Sequence, residues 1–333
     1  MEKIKASDLY HVLDLDNTAE VNKISENLRT ALIHRMRKRG VVVALSGGVD
    51  SSVCAALCVA ALGPGKVFGL LLPEKDSSPE STEKGEILAK HLGIEYVIED
   101  IAPVLEAIGC YRRRDEAIRS VFPEYETDWK NKIVISGGTE GKINFFKVVV
   151  QPPGGELMER RLGAREYLQI VAATNFKQRI RKTYEYFHAD RLNYAVIGTP
   201  NRLEYDQGFF VKNGDGAADI KPIAHLYKTQ VYGLASHLEL PEIICSAVPT
   251  TDTYSLPQGQ DEFYFSLPYD KMDIALWCHN NKVPAAVLAE YFKMTEEQVN
   301  YIYKDIETKR KTTRYLHEKP ILIEDVPELD FLP

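Results

Sequence analysis

The segment VVVALSGGVDSS at residues 41–52 runs from an apolar strand through a glycine- and serine-rich turn into a helix. Val41–Leu45 shows no polar alternation, which is typical of a parallel strand covered on both faces. The Ala-rich run that follows predicts a helix over Ser51–Leu62. The two glycines permit positive φ and close backbone approach, and the amides at the start of the helix point at an anion. The segment therefore predicts a phosphate-binding loop at the edge of an α/β sheet.

Strands and helices continue to alternate after this loop. A helix is predicted over Pro79–Leu92, closed by Gly93. Further strands are predicted at Lys66–Leu72, Ile94–Ile98 and Tyr194–Ile197. This rhythm predicts an α/β fold with a doubly wound parallel sheet of the Rossmann-like type. The length of 333 residues suits one large domain or two modest ones, and we expect a single α/β domain over residues 1–320 with a tail at 321–333.

The alternation breaks in the middle of the chain and again near its C-terminus. Residues 123–155 contain two β-prone runs around Gly-Gly-Thr-Glu-Gly, which predict a β-hairpin inserted into the α/β domain. A helix is predicted to follow over Arg160–Arg191, and residues 250–312 are predicted to form a helical C-terminal part. The hairpin could be a dimer arm, a substrate lid or a partner surface, and the sequence leaves these alternatives open.

The composition argues against several classes of function. A net charge of −7 and a pI of about 5.7 are unusual for a general nucleic-acid-binding protein. No apolar run reaches the roughly 18 residues of a membrane span, and the N-terminus lacks the apolar core of a signal peptide. The five cysteines show neither CxxC nor Cys/His metal spacing and are interpreted as core thiols. We therefore expect a cytoplasmic protein that binds neither membrane nor nucleic acid.

The polar residues of the loop imply a bound cation. Ser46, Ser51 and Ser52 can supply hydroxyl donors to phosphate oxygens. Asp50 would repel phosphate unless Mg²⁺ lies between them, and Mg²⁺ commonly takes one or two carboxylates together with substrate oxygens. The alternative is a simple turn in which Asp50 caps the helix. The loop has neither the GxxxxGK[ST] nor the GxGxxG pattern.

The loop resembles the pyrophosphate loop of ATP pyrophosphatases of the adenine-nucleotide α-hydrolase type. The resemblance implies an ATP site that includes Ser46, Gly47, Gly48, Val49, Asp50, Ser51 and Ser52. Such a loop holds the departing pyrophosphate, so ATP is cleaved between its α- and β-phosphates and a substrate oxygen is adenylated. NAD synthetase, GMP synthetase, asparagine synthetase, argininosuccinate synthetase and tRNA-modifying enzymes share this half-reaction.

Three downstream segments resemble NAD synthetase in order and spacing: GTPNRLE at 198–204, GFFVKNGDGAADIKPI at 208–223 and LYKTQV at 226–231. The resemblance implies that Asp50 and Glu204 hold Mg²⁺ and that Asp50 and Lys228 are catalytic residues. It also implies ATP contacts at Leu72, Thr199, Lys228 and Thr250. Considered alone, Glu204 could equally be a solvated helix residue and Lys228 a surface lysine. The register at Thr250 could slip by one residue, because Thr251 is adjacent.

The segment NFKQRIR at 175–181 resembles the substrate-binding helix of the same family. The resemblance implies that nicotinic acid adenine dinucleotide is bound by Arg179, Lys212, Asp219 and Lys309. A basic helix face suits a ligand with two phosphates and a carboxylate. Without the motif, a solvated basic surface would be the better interpretation of this helix.

The chain departs from the family pattern on the acceptor side. Thr308 stands where the family frequently has histidine, the 123–155 insertion is foreign to the short family pattern, and Thr251–Tyr254 differ as well. Activation by ATP is therefore better supported than the identity of the activated carboxylate. The sequence before the loop is too short for an added glutaminase domain with a nucleophilic cysteine. We therefore expect the nitrogen to come from free ammonia or from a separate glutaminase partner.

The resemblance as a whole implies an ammonia-dependent NAD synthetase. ATP would adenylate the carboxylate of nicotinic acid adenine dinucleotide and release pyrophosphate, and ammonia would then displace AMP and give NAD. The resemblance also implies a homodimer. An AMP-forming amide ligase for a different carboxylate is the main alternative. A regulatory nucleotide-binding module and a tRNA-modifying enzyme are weaker alternatives, because two metal carboxylates are retained and the chain is acidic.

Overall fold

The computed structural model describes residues 4–136, 145–247, 253–257, 259, 264, 267–324 and 326. The strands within these residues are β1 (Val41–Ala44), β2 (Val67–Leu71), β3 (Glu95–Ile98), β4 (Lys130–Ser136), β5 (Phe145–Gln151), β6 (Met158–Arg161) and β7 (Ala195–Val196). Four of them lie side by side in the order β3, β2, β1, β7, and all of these pairs are parallel. Val41 pairs with Val67 on one side and with Ala195 on the other.

Helices flank this parallel sheet. They are α1 (Asn17–Thr30), α2 (Val49–Leu62), α3 (Pro79–Leu92), α4 (Ala102–Ala107), α5 (Cys110–Arg119), α6 (Ala164–Leu192), α7 (Arg202–Gln207), α8 (Lys228–His237), α9 (Glu242–Cys245), α10 (Tyr269–Asn280), α11 (Ala285–Phe292) and α12 (Glu296–His317). Gly93 ends α3 with φ near +65°, so the predicted bounds of this helix are confirmed. None of the helices in the described part of the chain combines the length and the apolar character needed to cross a membrane.

Alternate residues of the central strand β1 enter two different cores. Val41 and Val43 pack on one face with α1, α2 and α8, where Leu57 is fully buried. Val42 packs on the other face with β2 residues and with Ala189 of α6. All three valines have no exposed surface. The sheet is therefore covered on both faces, and the predicted α/β, Rossmann-like fold class is confirmed.

The inserted region forms a second, antiparallel sheet in the order β4, β5, β6. In β4 and β5, Ile133 pairs with Val148, and both side chains are buried against α5 and α6. Strand β6 was not predicted, and the helix predicted to begin at Arg160 begins instead at Ala164. The four residues of β6 show no apolar alternation, and they become a strand because the free edge of β5 offers them hydrogen-bond partners. We call β4–β6 the inserted sheet.

The C-terminal helices form a third packed unit. Leu276 of α10, Leu288 of α11 and Ile306 of α12 share a core with Leu9 near the N-terminus. Helix α12 extends to His317, five residues beyond the end of the helical part predicted for residues 250–312. Its last turns reach back toward the carboxyl-terminal edge of the parallel sheet, where the cavity described below is found.

Candidate active site

A cavity of about 710 Å³ lies at the carboxyl-terminal ends of β1, β2 and β7. Ligands of open α/β sheets bind at this edge. The predicted site residues that line it are Ser46, Gly47, Gly48, Val49, Asp50, Ser51, Leu72, Arg179, Thr199, Glu204, Lys212, Lys228 and Lys309. The fold thus gathers residues from distant segments of the chain around one space.

The glycine-serine loop between β1 and α2 is tightly closed. Gly47 has φ near +76°, and a β-carbon there would lie 2.6 Å from the carbonyl oxygen of Ser81. Only glycine satisfies both constraints. The hydroxyls of Ser46 and Ser51 are 3.0 Å apart, and the Ser51 hydroxyl donates to the Gly48 carbonyl at 3.0 Å. These contacts hold the loop in one shape at the mouth of α2.

The start of α2 presents its backbone amides to the cavity. The Ser52 amide donates to the Gly48 carbonyl at 3.2 Å, so the amides of Val49, Asp50 and Ser51 precede the helical hydrogen-bond ladder. Unpaired amides and the positive end of the helix dipole both favour an anion. The loop and the first turn of α2 are therefore suited to a phosphate group.

Asp50 is the meeting point of three segments. Its Oδ1 accepts a hydrogen bond of 3.0 Å from the Asn201 side-chain amide, and its Oδ2 pairs with the ammonium of Lys228. Asn201 in turn caps the start of α7. Its Oδ1 accepts a hydrogen bond from the Glu204 backbone amide at 3.2 Å, and Glu204 Oε2 accepts one from the Asn201 backbone amide at 3.1 Å. This reciprocal capping box places Glu204 beside the Asp50–Lys228 pair.

Lys228 carries a permanent positive charge between two carboxylates. Its side chain is 2% exposed. Burial opposes the charged form, but attraction to Asp50 and to Glu204 outweighs burial and raises the pKa of Lys228. The two carboxylates therefore converge on one cation at the edge of the cavity.

A buried carboxylate of α10 fixes the start of the helix that carries Lys228. Asp273 accepts backbone hydrogen bonds from Lys228 at 3.2 Å and from Thr229 at 2.7 Å. The side chain is fully buried, and burial raises the pKa of Asp273 to about 7, although these hydrogen bonds favour the ionised form. The sequence pattern gave no indication of this residue, because its partner lies on a distant helix.

The predicted substrate-side cations also line the cavity. Arg179 donates to the Lys212 carbonyl at 3.3 Å, and the Lys212 ammonium donates to the Tyr315 carbonyl at 2.7 Å. Lys309 pairs with Asp305 at 2.6 Å. Burial lowers the pKa of Lys309, although Asp305 opposes this shift. The Lys212 side chain thereby ties the last turn of α12 to the cavity wall, whereas the Lys309–Asp305 pair lies within α12.

The remaining predicted residues lie elsewhere. The Ser52 hydroxyl is buried and donates to the Gly48 carbonyl at 2.8 Å, which stabilises the start of α2. Asp219 is exposed, and its carboxylate accepts from the Val196 amide at 2.8 Å at the end of β7. Neither residue lines the described part of the cavity wall. Thr250 lies outside the described residues. Ligand contacts of these three residues stay predictions.

A second buried charge cluster lies behind the wall, and we call it the loop clamp. It consists of Glu74, Asp76, Arg114 and Lys177. The Lys177 ammonium lies 2.9 Å from Glu74 Oε1 and 2.6 Å from Asp76 Oδ2, and Arg114 lies 2.5 Å from the same Asp76 oxygen. These pairs fasten the loop after β2, which includes the cavity residues Pro73 and Ser77, to α5 and α6.

Known proteins resemble this chain in sequence and in structure. The family model described as NAD synthase matches residues 20–121 and 143–313. The chain is 55% identical over 319 residues to the NH(3)-dependent NAD(+) synthetase of Rhizobium meliloti (strain 1021), which covers 96% of this chain and 95% of that protein. It is 32% identical over 302 residues to the protein of the same description from Methanocaldococcus jannaschii, covering 90% and 95%.

Solved structures share the fold. One is the NH3-dependent NAD synthetase from Campylobacter jejuni, with a TM-score of 0.60, 22% identity and coverage of 93% of this chain and 100% of that one. Another is the NMN synthetase from Francisella tularensis, with a TM-score of 0.62, 21% identity and coverage of 93% and 99%. The family match and the relatives at 55% and 32% identity extend over most of the sequence. The chain belongs to the NAD synthase family.

Proposed function

We propose that the residues around this cavity carry out both steps of ammonia-dependent NAD synthesis, the activity of the family. In the first step a carboxylate oxygen of nicotinic acid adenine dinucleotide attacks the α-phosphorus of ATP, and pyrophosphate leaves. In the second step the nitrogen of ammonia attacks the adenylated carbonyl carbon, AMP leaves, and the nitrogen loses a proton to give the amide of NAD. The observation that carries the proposal is the convergence of Asp50, Asn201, Glu204 and Lys228 beside the first turn of α2.

The protein contributes orientation and charge rather than a covalent nucleophile. The amides at the start of α2 and the serine hydroxyls would hold the departing pyrophosphate, and the ammonium of Lys228 would neutralise its charge. The Cys54 thiol on α2 is fully buried, and burial raises its pKa, so it stays protonated. Holding both reactants in place converts a bimolecular step into an effectively unimolecular one, and this adds to the electrostatic contribution.

The carboxylates of Asp50 and Glu204 fit a divalent cation. Both carboxylates attract the ammonium of Lys228, so the space between them already favours a positive charge. Two carboxylates with substrate oxygens and water are a common Mg²⁺ ligand set. When bound, Mg²⁺ would neutralise phosphate charge and orient the phosphate oxygens.

The acceptor would lie against the cations that α6, the loop after α7 and α12 contribute to the cavity. Arg179, Lys212 and Lys309 line the cavity, and their charge suits the diphosphate and carboxylate of a pyridine dinucleotide. The backbone at Leu72 is proposed to meet the adenine of ATP. We further propose a homodimer, which the resemblance implies, a cytoplasmic location, and either free ammonia or a separate glutaminase partner as the source of nitrogen.

A panel of carboxylic acids tests the proposal. Each acid is incubated with ATP, Mg²⁺ and ammonium, and AMP and the amide product are measured. Nicotinic acid adenine dinucleotide is expected to give stoichiometric AMP and NAD. Turnover of a different acid, without turnover of this dinucleotide, would favour the amide-ligase alternative instead.

A further inference from the structure

The inserted sheet contributes one row of side chains to the cavity. On its inner face, Ile133 and Val148 face each other and are buried in a core with α5 and α6. Two residues further along each strand, Ile135 pairs with Phe146 on the same face, and both line the cavity. The buried rows of the inserted sheet thus pack on the α/β domain, and the row of Ile135 and Phe146 lines the cavity.

Helix α6 and a neighbouring loop complete an apolar surface around this row. The rings of Phe146 and Tyr167 stack with centroids 3.8 Å apart and planes inclined by 16°. Val171, one turn further along α6, and Tyr254 line the same part of the cavity. We call these residues, with Ile135, the aromatic wall.

The aromatic wall lies far from the phosphate end of the cavity. The Arg181 side chain of α6 donates to the Leu72 carbonyl at 3.3 Å, which places Arg181 level with the edge of the parallel sheet. Tyr167 precedes Arg181 on the same helix by 14 residues, which is about 21 Å along the axis at roughly 1.5 Å per residue. The aromatic wall is therefore separated along α6 from the sheet edge where the glycine-serine loop begins.

We infer that the aromatic wall binds a nitrogen heteroaromatic ring of the acceptor dinucleotide. The inference rests on the proposed function. Both substrates carry such rings, but the adenine of ATP is already accounted for by the proposed contact near Leu72 at the sheet edge. The acceptor carries a pyridine ring and an adenine, and every flat heteroaromatic ring offers a face for stacking on phenylalanine or tyrosine. In this chain the inserted sheet is consequently a part of the substrate site.

Adjacent phenylalanines of β5 provide a matched test. Phe146 points into the cavity, whereas Phe145 points to the outer face, where the Arg161 guanidinium lies 5.0 Å from its ring centroid. The variants are Phe146→Leu, which keeps an apolar side chain but removes the ring, Phe146→Tyr, which restores the ring, and Phe145→Leu as the control. Steady-state KM and kcat are measured for the dinucleotide and for ATP with each variant.

Loss of a stacking ring is expected to raise the KM for the dinucleotide roughly fivefold or more in Phe146→Leu. The KM for ATP should stay within about twofold, Phe146→Tyr should recover most of the loss because it restores the ring, and Phe145→Leu should behave like the parent. Thermal melting of each variant shows whether the sheet is intact. An unchanged KM for the dinucleotide, or an increase confined to the KM for ATP, overturns the inference.

Nicotinic acid mononucleotide as a second acceptor identifies the ring. An effect of Phe146→Leu that persists with the mononucleotide assigns the wall to the pyridine, and an effect seen only with the dinucleotide assigns it to the adenine. Both results support an acceptor site. If the unaltered protein does not turn over the dinucleotide, the proposed function fails as well. If it does, and the variant matches it, only the aromatic wall is refuted.

Discussion

The two buried charge clusters of this molecule differ in what they face. Asp50 and Lys228 line the cavity, and the Asp50 side chain remains 15% exposed. In the loop clamp, Glu74 and Lys177 have no exposed side-chain surface, and no member lines the described cavity wall. The first cluster can exchange an internal partner for a ligand, whereas the second is sealed.

This difference separates two uses of buried charge. In the sealed cluster, Lys177 also donates to the Thr253 carbonyl at 2.8 Å, so one ammonium joins α6 to two loops beside the site. Burial opposes ionisation of Asp76, but Lys177 and Arg114 lower its pKa. We expect alterations of the loop clamp to affect stability first and alterations of the Asp50 cluster to affect turnover first.

Removing the central cation of the loop clamp should have the largest effect. Lys177→Met leaves Glu74 and Asp76 buried without their shared partner, and breaking a buried ion pair in this way costs about 3–5 kcal/mol. Urea denaturation measures the loss in free energy of unfolding. The exposed pair Lys90–Glu86 provides the control, and Lys90→Met should change stability by less than about 1 kcal/mol. Equal, small losses in both variants would contradict the contrast between the clusters.

Neutralising Asp50 should lower turnover far more than it lowers stability. Asp50→Asn keeps the shape of the side chain but removes the charge that Lys228 and a divalent cation require. We expect AMP formation to fall roughly 10²–10³-fold, the range for loss of one electrostatic contact in an active site. Glu116→Gln, in the exposed pair with Arg112, is the control. Normal AMP formation by Asp50→Asn at saturating Mg²⁺ would remove Asp50 from the proposed site.

Two substitutions of Asn201 separate its role as a helix cap from its hydrogen bond to Asp50. Asn201→Ala loses both the helix cap and the hydrogen bond to Asp50, and the cap contributes about 0.5–2 kcal/mol to stability. Asn201→Asp retains a good cap but cannot donate to Asp50, and it places a second carboxylate beside that of Asp50. Turnover should fall about tenfold in both variants, the equivalent of about 1.4 kcal/mol, while only the alanine variant loses the capping stability. If Asn201→Asp is fully active, the hydrogen bond to Asp50 has no role in orienting that carboxylate.

The smallest effect concerns pH. Burial raises the pKa of Asp273 to about 7, so the folded protein holds this proton more tightly than the unfolded chain does. Its contribution to stability is fully present below the unfolded pKa, about 4, and is lost as the pH rises through about 7. Asp273→Asn should therefore show a weaker decrease of unfolding free energy between these values. Parallel pH profiles for the two proteins, from urea denaturation, would show that Asp273 does not titrate in this window.

Sequence patterns predicted the parts of the fold that depend on interactions between residues close together in the chain. The apolar run of β1, the glycine loop and the bounds of α3 follow from backbone preferences, and the resemblance to a family placed Glu204 and Lys228 beside that loop. Asn201 lay within the same segment, and its capping box with Glu204, an Asn-x-x-Glu pattern, was a signal that could have indicated its position.

Other features depend on contacts between distant residues. Lys177 and Asp273 look like ordinary charged helix residues in the sequence, and only packing shows that both are buried. Strand β6 forms because a neighbouring edge is available, not because its residues favour it. Nothing in the sequence indicates that Phe146 and Tyr167 interact, because their rings come together only when β5 packs beside α6 in the folded protein.

Helix α6 runs without interruption through 29 residues along the cavity, from the Tyr167 end to the Arg181 end. Because one uninterrupted helix lines the cavity, the spacing between the sheet edge at Arg181 and the aromatic wall at Tyr167 is set by helical rise and not by loop conformation. The helix therefore fixes the length that a ligand must have in order to contact both ends of the cavity. A one-residue insertion in the middle of α6 would turn one end by about 100° relative to the other and uncouple the two ends at once.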